Sequence, residues 1–209
     1  SLTSTATDAA GNTGVASAGL AVTVDTSIPA APSAPDLSAA SDSGTTDTDD
    51  LTNDTTPTVS GTAEAGSTVT LTSNIDGTVG TATADGTSGV WAITASTLGD
   101  GSHDLTATAT DIAGNQSSSS TALSVTVDTA APAAPAAPDL DPTSDSGTAD
   151  TDDITSDTTA TLVGTAEIGT SVELTSDQDG PVGTATADGS GDWSITTSAL
   201  SVAVHSLTA

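Results

Sequence analysis

Thr alternates with Ala, Leu or Val along much of this chain, with a period of two. Leu105, Ala107 and Ala109 interleave with Thr106, Thr108 and Thr110, and Val125 and Val127 flank Thr126. Successive side chains of an extended strand point to opposite faces, so this alternation marks strands with one face buried and one wet. Six runs read this way between residues 57 and 128: 57–63, 67–73, 78–84, 89–95, 102–111 and 121–128. None has helical spacing. The punctuation between them is turn chemistry (Glu64-Ala65-Gly66, Asp76-Gly77, Asp85-Gly86, Gly99-Asp100-Gly101, Gly114-Asn115), where Gly, Asn and Asp tolerate positive φ. Short strands about ten residues apart predict an all-β fold, an antiparallel sandwich of about seven strands.

The pattern recurs. Residues 105–115 (LTATATDIAGN) restate residues 2–12 (LTSTATDAAGN), and residues 125–129 restate 22–26, at an offset of 103. The same offset joins the two SDSG, GTAE and GTATADG segments; one residue then drops out, so Trp91 and Trp193 differ by 102. A repeat of one small domain predicts a tandem array, which acts by length, spacing and stiffness rather than by chemistry. The expected division is residues 1–25 as the last two strands of a preceding copy, 26–128 as a complete copy with an Asp-rich N-terminal connector, and 129–209 as a copy lacking its last two strands. Such a division predicts an excerpt of a longer fibre, or a chain whose residues 1–25 complete residues 129–209 of the next molecule.

Composition sharpens this picture. There are 28 acidic residues, no Lys, Arg, Cys, Phe, Tyr or Met, and a formal charge of −28. Such a polyanion repels nucleic acid and anionic membranes and takes divalent cations as counter-ions. No apolar run approaches the length of a membrane span. Leu, Ile and Val make up only 34 of 209 residues, a composition shared with disordered chains. The period of two decides for a folded chain, because a disordered tail has no reason to keep it. With so thin a core, Trp91 and Trp193 are the expected anchors, each burying about 150–250 Å², or roughly 4–6 kcal/mol.

In chain order stand D-T-x-x-P-x-x-P from Asp25, P-D-L, S-D-S-G-T-T-D-T-D-D-L-T-N-D-T-T-P-T-V-S-G-T-A-E-A-G-S-T-V-T-L, G-T-A-T-A-D-G, W-A-I-T, L-T-A-T-A-T-D-I-A-G-N and V-T-V-D-T. In this order the blocks resemble the bacterial Ig-like tandem repeats of giant secreted adhesins, the type I-exported, RTX-type and biofilm-associated proteins, over the whole chain. The resemblance implies tandem immunoglobulin-like sandwiches, an extracellular stalk at a bacterial cell surface, and calcium at the junctions between modules. The complete lack of Lys and Arg departs from ordinary family acidity and points to a salty setting.

The acidic residues cluster twice. Asp36, Asp42, Asp47, Asp49, Asp50 and Asp54 fall within 19 residues, and Asp139, Asp145, Asp150, Asp152, Asp153 and Asp157 repeat the set with Asp141 added. Ca²⁺ takes six to eight oxygens, and short Asp side chains among Ser, Thr, Asn and Gly supply carboxylates and carbonyls on a pliable backbone. The spacing is not that of an EF-hand. Six carboxylates within roughly 6 Å repel by about 10 kcal/mol in total before salt screening, which a cation relieves. The alternative is a solvated acidic linker. In an immunoglobulin-type sandwich the loop joining the last two strands sits at the pole where the chain enters, so Asp111 and Asn115 are expected to face the segment from Asp25 to Asp54. The candidate calcium ligands are thus Asp25, Asp111, Asn115 and Asp128 together with the two clusters; for DIAGN a plain turn whose Asp caps backbone amides stays open. Prolines 29, 32 and 35, and 132, 135, 138 and 142, stiffen the connectors.

Elsewhere the signals are weak. His103 and His205 precede a strand in both copies and read as capping or packing groups. No phosphate loop, nucleophile elbow or paired catalytic carboxylate assembles, so no catalytic residue and no enzyme activity is expected. The reading is a calcium-rigidified structural spacer of a secreted, extracellular adhesin or fibre that supports cell adhesion and biofilm formation. Its partners are adjacent repeats or head-to-tail copies, without nucleic acid, membrane insertion or a small-molecule substrate. The alternatives are a glycan- or protein-binding module and an accessory domain of a polysaccharide-degrading enzyme.

Overall fold

A computed structural model describes residues 1–44, 46–149 and 152–209. The chain divides into two compact units, residues 1–129 and 130–209. Among the described residues every regular element is a strand, and no helix is long and apolar enough to cross a membrane. Unit 1 holds β1 (Asp36–Leu37), β2 (Leu51–Thr52), β3 (Thr58–Thr62), β4 (Thr68–Ser73), β5 (Gly77–Thr83), β6 (Val90–Thr94), β7 (Gly101–Thr110) and β8 (Leu123–Val127). One sheet has the order β1-β3-β6 and the other β2-β8-β7-β4-β5. All pairs are antiparallel except β2, which runs parallel to β8. The expected all-β sandwich is therefore the observed one, and its six longer strands end within two residues of the expected bounds.

Alternation translates directly into burial. On β7 the side chains of His103, Leu105, Ala107 and Ala109 are buried, with the intervening ones turned outward; Val69 and Leu71 of β4 and Trp91 and Ile93 of β6 follow the same rule. The inner faces of both sheets meet in one core that joins Leu37, Val59, Trp91 and Ile93 to Val69, Leu71, Leu105, Val125 and Val127.

Unit 2 holds β9 (Asp139–Leu140), β10 (Thr161–Thr165), β11 (Ser171–Ser176), β12 (Gly180–Thr186), β13 (Asp192–Thr196) and β14 (Leu207–Thr208), in sheets ordered β13-β10-β9 and β12-β11-β14. Its core gathers Leu162, Val172, Leu174, Val182, Trp193 and Ile195. Residues 1–28 are exposed throughout; a narrow hairpin within them is held by bridges between Leu2 and Leu20 and between Thr7 and Thr13.

Two features escape the sequence reading. The acidic segment is stitched into the sandwich, because Asp36–Leu37 pairs with Ser60 and Val59 on β3 while Leu51–Thr52 pairs with Thr126 and Val127 on β8. A two-residue strand carries no period to detect. The proline segment likewise lies along β3: Ser33 N donates to Thr62 O at 2.9 Å, Ser33 Oγ accepts from Thr62 N at 2.9 Å, and Pro29, Pro32 and Pro35 are buried. Proline lacks a donor and suits such an edge position.

Each tryptophan lies against a glycine. Gly61 on β3 faces Trp91 on β6, and a Cβ built on Gly61 would stand 2.6 Å from Trp91 Cζ2; for Gly164 and Trp193 the distance is 2.4 Å. The missing side chain makes the room that the indole fills. Both indole Nε1 atoms are buried without a hydrogen-bond partner, so the rings are held by packing alone.

Trp91→Ala is expected to cost about 3–5 kcal/mol, a large share of the roughly 5–15 kcal/mol stabilising a typical domain. Gly61→Ala is expected to cost about 1–3 kcal/mol by overpacking. Thermal unfolding followed by circular dichroism checks both values and their order; equal stability of Gly61→Ala and the parent would contradict this packing of the indole against the glycine.

Candidate cation-binding site in the acidic loops

The loop between β1 and β2 is built on Ser41. Its amide donates to Ser38 O at 2.7 Å, its carbonyl accepts from the buried Thr52 hydroxyl, and its own hydroxyl donates to Asp54 Oδ2 at 3.2 Å while the Ser41 Oγ accepts from Thr58 N at 3.0 Å. These bonds fold the acidic residues back onto the sandwich. Asp42 is only 6% exposed; its Oδ2 accepts from Asp50 N at 3.3 Å, and its buried Oδ1 has no partner. A buried carboxylate oxygen without a donor carries an uncompensated desolvation cost.

Asp50 completes the strained corner. Its φ of 54° is left-handed, a conformation that Asp and Asn tolerate better than other side chains. Burial raises its pKa above the ordinary 3.8, with further upward contributions from Asp42, Asp36 and Asp49. Asp49 accepts from Thr46 N at 3.2 Å and from Leu51 N at 3.3 Å, and a Cβ on Gly44 would stand 2.2 Å from its Oδ1. Asp36 and Asp47 are exposed, and Asp54 is capped by the amide and hydroxyl of Thr56, of which the amide does most to lower its pKa.

Unit 2 repeats the construction. Thr155 Oγ1 donates to Ser144 O at 2.6 Å, Thr161 N donates to Ser144 Oγ at 2.9 Å, and Asp153 shares the φ of 54°. Asp145 Oδ2 is again buried and unpartnered, and a Cβ on Gly147 would meet Asp152 Oδ1 at 2.2 Å. Asp157 is capped by Thr159, Asp139 lies on β9 opposite Val163, and Asp150 lies outside the described residues.

The remaining candidates stand elsewhere in unit 1. The Asp111 carboxylate accepts from the amides of Ala113 and Asn115 and from Asn115 Nδ2, each at 2.8 Å, and the Asn115 side chain does most to hold its pKa low. Asn115 Nδ2 also donates to Asp25 O at 3.2 Å, so this loop meets the incoming chain at Asp25. Asp25 Oδ1 accepts from Ser27 N, and Asp128 N donates to Thr52 O at 2.9 Å. The structure thus places Asp36, Asp42, Asp49 and Asp50 in one electrostatic neighbourhood, with Asp25, Asp111 and Asn115 forming a separate contact. Among the described residues no three His, Asp or Glu stand close enough to enclose a metal.

The family model for the bacterial Ig-like domain matches residues 28–129 and again residues 131–209. The chain belongs to the bacterial Ig-like domain family. Among curated proteins none matches it. Among solved structures it is similar to one titled "Biofilm associated protein - BSP domain", at 20% identity and a TM-score of 0.30. That match covers 85% of the present chain and 26% of the other.

Within the Ig-like units, sequence reasoning missed Ser41, Ser144, Thr52 and Thr155, which shape the acidic loops; the recurring SDSG was the available signal. It also understated the histidines. Buried His103 places Nε2 2.8 Å from Gly99 O and Nδ1 3.2 Å from Ser73 Oγ and 3.0 Å from Asp76 Oδ2. His205 repeats this with Ser201 O at 2.8 Å, Ser176 Oγ at 2.9 Å and Asp179 Oδ2 at 3.5 Å. Each imidazole ties a hairpin turn to the segment preceding the next strand.

Because the Asp50 pKa is raised on folding, the folded state binds more protons than the unfolded one above pH 3.8, and this site loses stability as pH rises through its folded value. Asp50→Asn keeps the left-handed corner and removes the charge. In metal-free buffer it is expected to melt a few degrees higher than the parent at neutral pH, with the gain shrinking as pH falls into the carboxyl range. A lower melting temperature at neutral pH would contradict this electrostatic reading.

Proposed function

We propose that the Ig-like units are non-enzymatic spacer modules of an extracellular bacterial adhesin or fibre, supporting adhesion and biofilm formation, and that calcium held by their acidic loops stiffens the array. The observation that carries the calcium reading is the buried, unpartnered carboxylate oxygen of Asp42, recurring at Asp145 and set among like charges in a chain without Lys or Arg. A hard divalent cation suits that chemistry. Asp36, Asp42, Asp49 and Asp50 would have to draw closer together to hold it in unit 1, and Asp139, Asp145, Asp152 and Asp153 in unit 2.

The protein's own residues set the mechanical consequence. The acidic loop is anchored at one end by β1 on β3 and at the other by β2 on β8, strands of the two different sheets. An ion neutralising the loop would therefore fix both anchors together. Without it, mutual repulsion among the carboxylates favours an open, mobile loop. The proline segment directly before β1 would inherit that difference, since it is held to β3 by few backbone bonds. Adjacent repeats of the same chain are the partners this arrangement serves.

Small-angle scattering of the chain in Ca²⁺ and then in chelator tests the reading. The expected result is a shorter maximum dimension and greater flexibility in chelator, with circular dichroism unchanged. Asp49→Asn combined with Asp50→Asn should reproduce part of that loosening in the presence of Ca²⁺ while both sandwiches stay folded. Identical scattering profiles with and without Ca²⁺ would rule the mechanism out.

A further inference from the structure

The chain contains two Asn-x-Ser/Thr triplets, Asn53-Asp54-Thr55 and Asn115-Gln116-Ser117, with x other than Pro in both. That pattern is an acceptor for glycosyl transfer to the Asn side-chain nitrogen, a reaction that needs the amide at the surface with its nitrogen free. The structure separates the two triplets. Asn115 uses its nitrogen to hold the fold: Nδ2 donates to Asp111 Oδ2 at 2.8 Å and to Asp25 O at 3.2 Å. A sugar in place of either proton would break the turn that follows β7.

Asn53 is different. It is exposed and directly follows β2, next to Thr52, whose carbonyl accepts from Asp128 N at 2.9 Å where β8 ends. Asn53 N donates to Ser43 Oγ at 2.8 Å, so the Ser43 proton goes elsewhere, and Ser43 Oγ donates it to the Asn53 side chain at 3.0 Å. Only the carbonyl oxygen of an amide accepts, so this bond fixes Oδ1 toward Ser43 and turns Nδ2 away. The intervening Asp54 does not take that nitrogen, since its oxygens accept from the amide and hydroxyl of Thr56 and from Ser41 Oγ. Among the described residues Asn53 Nδ2 has no hydrogen-bond partner. Unit 2 shows that the loop does not need it. The counterpart there is Ser156, whose N donates to Ser146 Oγ at 2.8 Å while the two hydroxyls meet at 3.0 Å. A serine closes the same bridge, and the asparagine adds one exposed NH₂ outside the bonding of the loop.

We infer that Asn53 is a glycosylation site, so that unit 1 carries a sugar that unit 2, which has no asparagine, does not. The donor is a glycosyl pyrophosphate, supplied as a nucleoside diphosphate sugar or as its lipid-linked equivalent, and a transferase brings the two together. Asn53 Nδ2 attacks the anomeric carbon: a C–N bond forms, the C–O bond to the donor phosphate breaks, the phosphate leaves with the electron pair, and one amide proton passes to a base of the transferase. Oδ1 takes no part, so the bond from Ser43 survives and the loop keeps its shape. The product is bulky, neutral and hydrophilic, and it stands on unit 1 beside Asp128, where the chain leaves β8. Acceptance depends on the triplet and its exposure and on no cation, so its failure would leave the spacer reading standing.

Peptide mass spectrometry of the protein taken from the cells that produce it reads the site directly. Without Lys or Arg the chain offers trypsin no cleavage site, so it is cut at its acidic residues. The expected result is a sugar on the peptide that holds Asn53 and none on the peptide that holds Asn115. In vitro, the folded chain is offered to transferases specific for the triplet, with nucleoside diphosphate glucose in one arm and a lipid-linked oligosaccharide in the other; the arm that transfers identifies the donor. Thr55→Ala is expected to abolish transfer and Asn115→Gln to leave it unchanged. Asn53→Ser copies unit 2, so it is expected to lose the sugar while circular dichroism shows the fold intact. An unmodified Asn53 peptide from the producing cells, a sugar on Asn115 in place of Asn53, or transfer that persists in Asn53→Ser overturns the inference.

Discussion

The packing of one indole onto one glycine in each repeat is the constraint on which this fold rests. In a core built from Ala, Val and Leu, Trp91 is the single large ring of unit 1, and its position is fixed by the absence of a side chain at Gly61 across the β3–β6 pair. A second glycine sets the separation between sheets, since a Cβ on Gly80 of β5 would lie 2.4 Å from Ile93 Cγ2 on β6. Gly164 and Gly183 do the same for Trp193 and Ile195. Small residues here bring the sheets close enough for few side chains to fill the space between them.

Charge imposes the second constraint. Without Lys or Arg, each carboxylate must find its stabilisation from N–H and O–H donors nearby, from an imidazole, or from outside the chain. Most use local donors: Asp85 is held low chiefly by the Ser88 amide, Asp111 by the Asn115 side chain, Asp141 by the Thr143 hydroxyl and Asp177 by the Ser206 amide. These turn carboxylates stabilise the fold above their ordinary pKa and lose that contribution as pH falls. Asp50 runs the other way, and Asp42 beside it leaves an oxygen unpartnered. The contrast sets the acidic loops apart from the other acidic turns.

Much of the fold was legible because Thr, Val and Ala alternate over five or more residues, long enough for a period of two to stand out. β1 and β2 were not, since Asp36–Leu37 and Leu51–Thr52 owe their strand character to the neighbours they pair with. The acidic residues were legible as a cluster. Their arrangement was not, because it depends on Ser41 and Thr52, ordinary residues whose role comes from a cross-loop contact eleven positions apart. The glycine opposite each tryptophan was equally hidden, since facing positions on paired strands leave no mark in sequence spacing.

The two copies also show which features the fold holds fixed. One residue is lost between Gly189 and Trp193, and the loss falls within a turn. Asp85 N reaches Val90 O and Gly89 N returns to Asp85 O in unit 1; in unit 2 Asp188 N reaches Asp192 O and Gly191 N returns to Asp188 O, one residue sooner. In both, a left-handed glycine (φ 72° and 86°) ends the turn with its Cα against a carbonyl, that of Ala63 or Ala166. The pairing beyond it is unshifted: Gly61 faces Trp91 and Gly164 faces Trp193. A loop tip absorbs the deletion at little cost, whereas a slip of one residue in β6 would turn the indole to solvent and empty the core. The indole's register is thus held more tightly than the turn that delivers it, as expected where one side chain supplies so much of a small core.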